Sequence, residues 1–408
     1  MNPNTSIYLH IPFCKHRCAY CDFNTYAGQE DSIPAYVNAL IREIDFIGSQ
    51  LSNLPTFNIP TVFFGGGTPS LLSALQFESI LRALRSAFTF TADAEISIEA
   101  NPGTISPDKL NAIRRSGINR ISFGVQSTNT EELRMLERIH DFFTVIEAVS
   151  TARKAGFDNL NLDLIYGLPE QTLSAWQTTL QRIVDLHPEH ISAYALTLEH
   201  GTPFGRWSSK GLLPLPDPDL AADMYEYTEE FLASNGYVHY EISNWARSNS
   251  EFRIPNTEFM CRHNLQYWRS LPYLAFGAGA HGYANGYRYS NALRIKTYIE
   301  RLLHSSSFTI HPFPLSPATV NQHKQSLVDD MSEYMLNNLR LTNAGVAESD
   351  FRLRFGRGLR DVYSKKLDEL IGKGLLEKKT SESKIDSDVY RLTKSGRLLG
   401  NQVFLRFV

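Results

Sequence analysis

The 408-residue chain has only four cysteines, and no apolar run approaches the ~18 residues of a membrane-spanning helix. The opening "MNPNTSIYLHIPFC" lacks a basic segment followed by a long apolar one, so no secretory signal is expected. An excess of one charge is missing too: 40 Lys and Arg stand against 43 Asp and Glu, for a formal net charge of −3. That balance leaves no overall electrostatic footprint for nucleic acid, and none is expected as a partner. So few cysteines also exclude the disulfide framework of a small secreted fold. They fit a reducing compartment where thiols are free to hold metal, and the expected location is the cytoplasm. Hydrophobic residues at 42% and charged ones at 20% are ordinary for a soluble globular chain long enough for two or three domains.

What is present is concentrated. "FCKHRCAYCDF" places Cys14, Cys18 and Cys21 on a C-x3-C-x2-C spacing. A structural zinc site normally takes four protein ligands, which here would require the remaining Cys261 or a histidine. Three thiolates from one short loop can instead hold three corners of a cubane iron–sulfur cluster and leave its fourth iron open.

From residue 6 to about 198, short apolar runs alternate with amphipathic stretches. The runs are 7–11, 61–65, 95–100, 120–126, 159–167 and 190–198; helical patterns include 35–47, 74–88 and 174–186. Six strand–helix repeats imply parallel strands with right-handed crossovers. The cysteine loop follows the first strand and "GGGTPS" the second, Glu99 and Gln126 end the third and fourth, and Asp163 lies in the fifth. A ring of polar residues near strand C-termini is the pattern of a barrel, whereas a doubly wound sheet gathers its site at one switch point. The expected fold is α/β, a partial (β/α)6 TIM-like barrel with a smaller α+β C-terminal domain. Domain limits are expected at 1–215, 216–320 and 321–408, with Pro-, Gly- and Ser-rich stretches at 205–220 and 304–320 as boundaries.

These motifs resemble the radical S-adenosylmethionine (SAM) proteins. "YLHIPFCKHRCAYCDF", "FFGGGTPS", "IEANPG" and "RISFGVQS" are similar, more narrowly, to the oxygen-independent coproporphyrinogen III oxidase group of porphyrin biosynthesis. The resemblance implies that Cys14, Cys18 and Cys21 ligate a [4Fe-4S] cluster whose open iron chelates the methionine moiety of SAM. It implies Tyr8 at the end of its strand beside the cluster and Tyr20 against the adenine. Gly66, Gly67 and Thr68 would offer backbone amides to the methionyl group, with Glu99 and Gln126 on the amine or ribose. Arg138 would meet the carboxylate, and Asp163 the ribose hydroxyls.

Two departures separate the chain from the oxidase pattern. Where that pattern carries a further cysteine two residues after the third, this chain has Phe23. "CRHNLQYW" (261–268) contains H-N-x-x-Y-W, which is similar to the heme chaperone branch of the family. That branch binds heme and delivers it to respiratory proteins, here expected at or near a membrane surface. His263 would then be an axial ligand, with Tyr267 and Trp268 offering faces to the macrocycle. "FGAGAHGY" (276–283) has glycines that would let a flat ligand approach, and His281 is a candidate second ligand. Cys261 reads as an inert buried thiol. Residues 351–380 hold nine Lys or Arg against four Asp or Glu, within a helix, hairpin and helix that resemble a winged-helix unit.

Overall fold

A computed structural model describes residues 4–53, 58–248, 258–304, 311–380 and 388–408. The chain divides into two compact units, residues 1–230 with 272–324 and residues 231–271 with 325–408. The expected 216–320 segment is therefore shared between both. Of the expected boundary 304–320, residues 305–310 lie outside the described residues.

In the first unit, β1 (Ser6–Ile11), β2 (Asn58–Gly66), β3 (Thr89–Ala100), β4 (Arg120–Gln126), β5 (Leu160–Tyr166) and β6 (His190–Ala195) lie side by side in chain order. Every adjacent pair is parallel. Between the strands run α1 (Ile33–Ser49), α2 (Ala74–Ala87), α3 (Pro107–Arg115), α4 (Thr130–Met135), α5 (Phe142–Lys154) and α6 (Leu173–Val184). This is the partial barrel. Side-chain caps start five of these helices: Ser73, Ser106, Asn129, Asp141 and Thr172 each accept a bond from a first-turn amide. The last strand is shorter than its apolar run. Thr202 and Pro203 start another helix, Pro203–Ser209, which runs into the stretch 205–220 expected to be a boundary.

The alternation along the strands separates two faces. Ile7, Leu9, Ile11, Val62, Phe64, Ile98, Ile121, Phe123, Leu162 and Leu164 form an apolar face and are buried. The alternate set is polar: Ser97, Glu99, Arg120, Ser122, Asn161, Asp163, His190 and Ser192. Register pairs them across the sheet, Ser97 with Arg120, Glu99 with Ser122 and Asp163 with Ser192. A barrel lined this way cannot close on dispersion alone, so its polar groups must satisfy one another or a ligand.

The sheet continues beyond β1. β7 (Tyr273–Phe276) is parallel to β1, and β8 (His281–Ala284), β9 (Tyr287–Asn291) and β10 (Thr319–Lys324) follow as an antiparallel meander. Glu43 on α1 fastens this extension. Its buried carboxylate accepts from Gly277 N (2.9 Å), Asn291 Nδ2 (2.8 Å), Tyr298 Oη (2.6 Å) and Ser316 Oγ (2.7 Å).

The second unit packs helices Leu327–Asn338, Glu348–Phe355 and Leu359–Gly372 with a three-stranded sheet around Met335, Phe351, Leu367, Tyr390 and Val403. Helix, hairpin and helix follow one another as expected. The basic surplus of 351–380 is largely paired: Arg352 with Glu348, Arg354 with Asp330, Arg360 with Asp368, Lys373 with Glu369 and Lys378 with Asp388.

Candidate functional site

The loop leaving β1 carries the three cysteines into a cavity of about 500 Å³ at the C-terminal end of the strands. Cys14, Cys18, Tyr20, Cys21, Gly66, Gly67, Thr68, Glu99, Gln126, Arg138 and Asp163 all line it. Of the residues expected at the barrel site, only Tyr8 lies behind this lining. It sits inside β1 rather than at its end, with its hydroxyl 2.9 Å from His10 Nδ1 and its ring against Phe63.

All four cysteine thiols are free. Among the described residues, no three His, Cys, Asp or Glu side chains converge as they would on a single metal ion. The sulfurs do have polar neighbours. Thr68 Oγ1 donates to Cys14 Sγ at 3.6 Å and Arg138 Nη1 to Cys18 Sγ at 3.5 Å. Burial pushes the Cys14 and Cys21 thiols up from their ordinary range. A site that stabilises negative sulfur through donors, yet is partly desolvated, suits thiolates bound to a cationic metal cluster.

The glycine turn acts differently from expectation. Gly67 N bonds Ile11 O at 2.8 Å and Thr68 N bonds Phe13 O at 2.7 Å, while Gly66 N donates to Glu99 Oε2 at 3.0 Å. The three amides are thus engaged within the protein. Glycine is required because the turn presses on the cysteine loop. A Cβ on Gly67 would lie 2.6 Å from Phe13 O, and one on Gly66, where φ is +112°, would lie 2.6 Å from the His10 ring.

Burial, and then the charge of Asp163, push the Glu99 carboxyl up to about 8. Asp163 is raised by burial as well, against bonds from Ser122, Ser192 and Asn161; Ser122 Oγ and Asn161 Nδ2 each donate at 2.7 Å. Gln126 reaches the cavity through a β-bulge: the β4–β5 register shifts between Gly124 and Gln126, and Gln126 has φ +70°. Arg138 lies in the turn after α4. Its Nη2 donates to Gly124 O (2.7 Å) and to Asn101 Oδ1, and its buried Nε has no partner among the described residues. An orphaned guanidinium N–H at this cavity fits an anionic group such as a carboxylate.

Some contributors carried no recognisable pattern in the sequence. Asn101, which read as a turn residue in "EANPG", bridges Arg138 and Thr68, donating to Thr68 Oγ1 at 3.2 Å. Asn24 clamps the far end of the cysteine loop, donating to Ala278 O (3.1 Å) and Leu293 O (3.0 Å) and accepting from His10 at 2.9 Å. Two of the three glycines of 276–283 border that clamp. A Cβ on Gly279 would collide with the Asn24 side chain, and one on Gly277 with His10 O.

His263 belongs to the second unit, on the short helix Arg262–Trp268 that starts at the buried Cys261. It is 1% exposed, its Nε2 is 2.9 Å from Tyr267 Oη, and its ring meets that of Tyr267 edge-on. The Arg340 guanidinium lies 4.3 Å over the Trp268 ring. The motif thus forms a packed cluster in which the imidazole is already engaged.

The Radical SAM superfamily model matches residues 8–183, and the HemN C-terminal domain model matches residues 325–399. A protein named heme chaperone HemW from Bacillus subtilis (strain 168) is 36% identical over 99% of each chain. Its namesake from Escherichia coli (strain K12) is 34% identical over 100% of this chain and 98% of its own. Among solved structures, the radical SAM enzyme coproporphyrinogen III oxidase (HemN) from Escherichia coli superposes with a TM-score of 0.79. It shares 25% identity over 99% of this chain and 90% of its own. With relatives matched from end to end and the cysteine loop set in a radical SAM barrel, the chain belongs to the HemW heme chaperone family.

Proposed function

We propose that this protein binds heme and passes it to respiratory proteins, working in the cytoplasm or at the cytoplasmic membrane surface. Cys14, Cys18 and Cys21 hold a [4Fe-4S] cluster, and SAM occupies the adjoining cavity. Arg138 pairs with the carboxylate of the methionyl group, Glu99 and Gln126 take its amine or the ribose, Asp163 takes the ribose hydroxyls, and Tyr20 packs on the adenine. Gly66 and Gly67 hold the cysteine loop in place, Thr68 polarises the Cys14 sulfur, and Tyr8 supports the wall behind Glu99. A cluster held there and reduced by an external one-electron donor would supply the electron for reductive cleavage of SAM. His263 would hold heme through its imidazole once its bond to Tyr267 opens.

The observation that carries this reading is the end-to-end likeness to proteins named heme chaperones. Phe23 agrees with it: at 68% exposure on the rim of the cavity, it offers no thiol where the oxidase pattern places one. The second reading is oxidative decarboxylation of coproporphyrinogen, favoured by the structural likeness to that oxidase. Heme titration beside a coproporphyrinogen turnover assay, both on anaerobically reconstituted protein, separates the two. Heme binding with little turnover is expected. Efficient conversion to protoporphyrinogen would establish the enzyme instead.

A further inference from the structure

The first unit has a second recess, of about 390 Å³, bordered by His281, Leu293, Arg294, Thr297, Val320 and Asn321. It adjoins the cysteine loop, since Asn24 Nδ2 and Tyr26 Oη both donate to Leu293 O, at 3.0 and 3.2 Å. Register places it at the same end of the sheet as the thiol cavity. β7 runs parallel to β1 and β8 returns antiparallel, so His281, which begins β8, lies near the strand ends from which the cysteine loop departs. His281, Ser290 and Asn321 form one cross-strand row.

The lining is incomplete by itself. Leu293 is 57% exposed and Val320 44%, two apolar side chains left open to solvent. His281 and Arg294 are exposed, and neither side chain makes a hydrogen bond or ion pair among the described residues. A free imidazole, a free guanidinium and uncovered apolar surface around one concavity call for a ligand that is flat, apolar, metal-bearing and acidic at its edge. Heme has all four properties.

We propose that this recess is a seat for heme in the first unit, with the His281 imidazole on the iron and Arg294 on a propionate. Leu293 and Val320 cover one edge of the macrocycle. The inference rests on the heme-binding reading above but assigns a site other than the H-N-x-x-Y-W cluster. A recess of this volume, open on its solvent side, takes part of a porphyrin and leaves the remainder reachable, as a cargo that is handed on requires. The seat also borders the clamp of the cysteine loop, so its occupancy bears on the segment that carries the cluster thiols.

The test is ferric heme titration of the full chain, followed by the Soret band, for wild type, His281→Ala, His281→Met, Arg294→Gln and His263→Ala. His281→Ala is expected to weaken one heme-binding phase, the one that His263→Ala leaves in place, on the order of tenfold or more and to shift its Soret contribution, since even outer-shell partners of metal ligands are worth ten- to a hundredfold. His281→Met restores a ligand and should recover binding with a different spectrum. Arg294→Gln should bind roughly two- to fivefold more weakly at low salt, the range of an exposed ion pair, with the band unmoved. Equal iron and sulfide contents after reconstitution confirm that the variants fold. His281→Ala binding heme with wild-type affinity and spectrum would overturn the seat. If His263→Ala alone loses heme, the seat falls and the heme-binding reading stands; if the wild type takes up no heme, both fall.

Discussion

Glu99 and Asp163 bring two carboxylates toward one desolvated space, and the protein manages them unequally. Asp163 is satisfied by Ser122 and Asn161, whereas Glu99 has the Gly66 amide and is pushed up to about 8. Near neutral pH Glu99 is therefore largely protonated until a cation arrives. SAM carries an ammonium and a sulfonium, so its binding at pH 7 should release a substantial fraction of a proton. Calorimetry in buffers of different ionisation enthalpy should show this release in wild type, its disappearance near pH 9, and none in Glu99→Gln. Buffer-independent heats at pH 7 would remove Glu99 from the SAM site. For the thiols, Cys14→Ala, Cys18→Ala and Cys21→Ala should each lose iron and sulfide after reconstitution, whereas Cys261→Ala, in the other unit, should keep both. A full complement in any of the first three would sink the cluster assignment. The residues legible in the sequence were those whose type announces chemistry: the cysteines, Glu99, Asp163. The Gly66 and Gly67 amides were read as ligand donors, but Gly66 N donates to Glu99 and Gly67 N to Ile11 O where the cysteine loop begins, a fact that only packing reveals.

At the scale of the element, the cysteine loop is held at both ends. β1 and the glycine turn hold its start, and Asn24 and Tyr26 hold its end against the segment 277–293. Asn24→Ala deletes two amide hydrogen bonds, one part-buried and one exposed, worth about 1–3 kcal/mol together. Faster cluster loss to a chelator and faster amide exchange in residues 12–27 are expected. Gly279→Ala should do the same, because the new methyl meets the Asn24 side chain at a φ of +76°. Gly286→Ala is the control: its φ is +77° but nothing lies within 4 Å of the added Cβ. It should cost about 1 kcal/mol of stability without hastening cluster loss. Equal rates in Asn24→Ala and wild type would dissolve the clamp. The six barrel strands were legible because parallel strands buried against helices read as short apolar runs. The clamp was not, because a single Asn 254 residues away in sequence from its partner Ala278 leaves no periodic trace.

For the whole molecule, the division into units was the least legible feature. Pro-, Gly- and Ser-rich stretches suggested one middle segment, yet β7 to β10 extend the barrel sheet, while 231–271 joins the C-terminal residues. The basic surplus of 351–380 has acidic partners, Asp330, Glu348 and Asp388, that lie outside that window. A polar barrel interior also sets how stability responds to pH. Burial raises Glu43, Glu99 and Asp163 above ordinary carboxylates, so above pH ~4.5 the folded chain binds more protons than the unfolded one. Stability from these groups falls as pH rises, for Glu99 until about 8. Burial lowers His10, His140 and His190, with His140 at about 4. Below pH ~6.5 their unfolded forms take up protons first, and stability falls as pH drops. The two sets oppose each other, so the cluster-free chain should melt highest between about pH 5.5 and 7 and lower on either side. Glu99→Gln should flatten the alkaline limb by up to about 1.4 kcal/mol per pH unit and, because the Glu99 contribution begins near pH ~4.5, steepen the acid limb as well. Scanning calorimetry of both proteins from pH 5 to 9 decides it: a wild-type melting temperature that climbs steadily to pH 9 would mean that these buried carboxyls are ionised in the folded chain at no cost, against the burial seen for each of them.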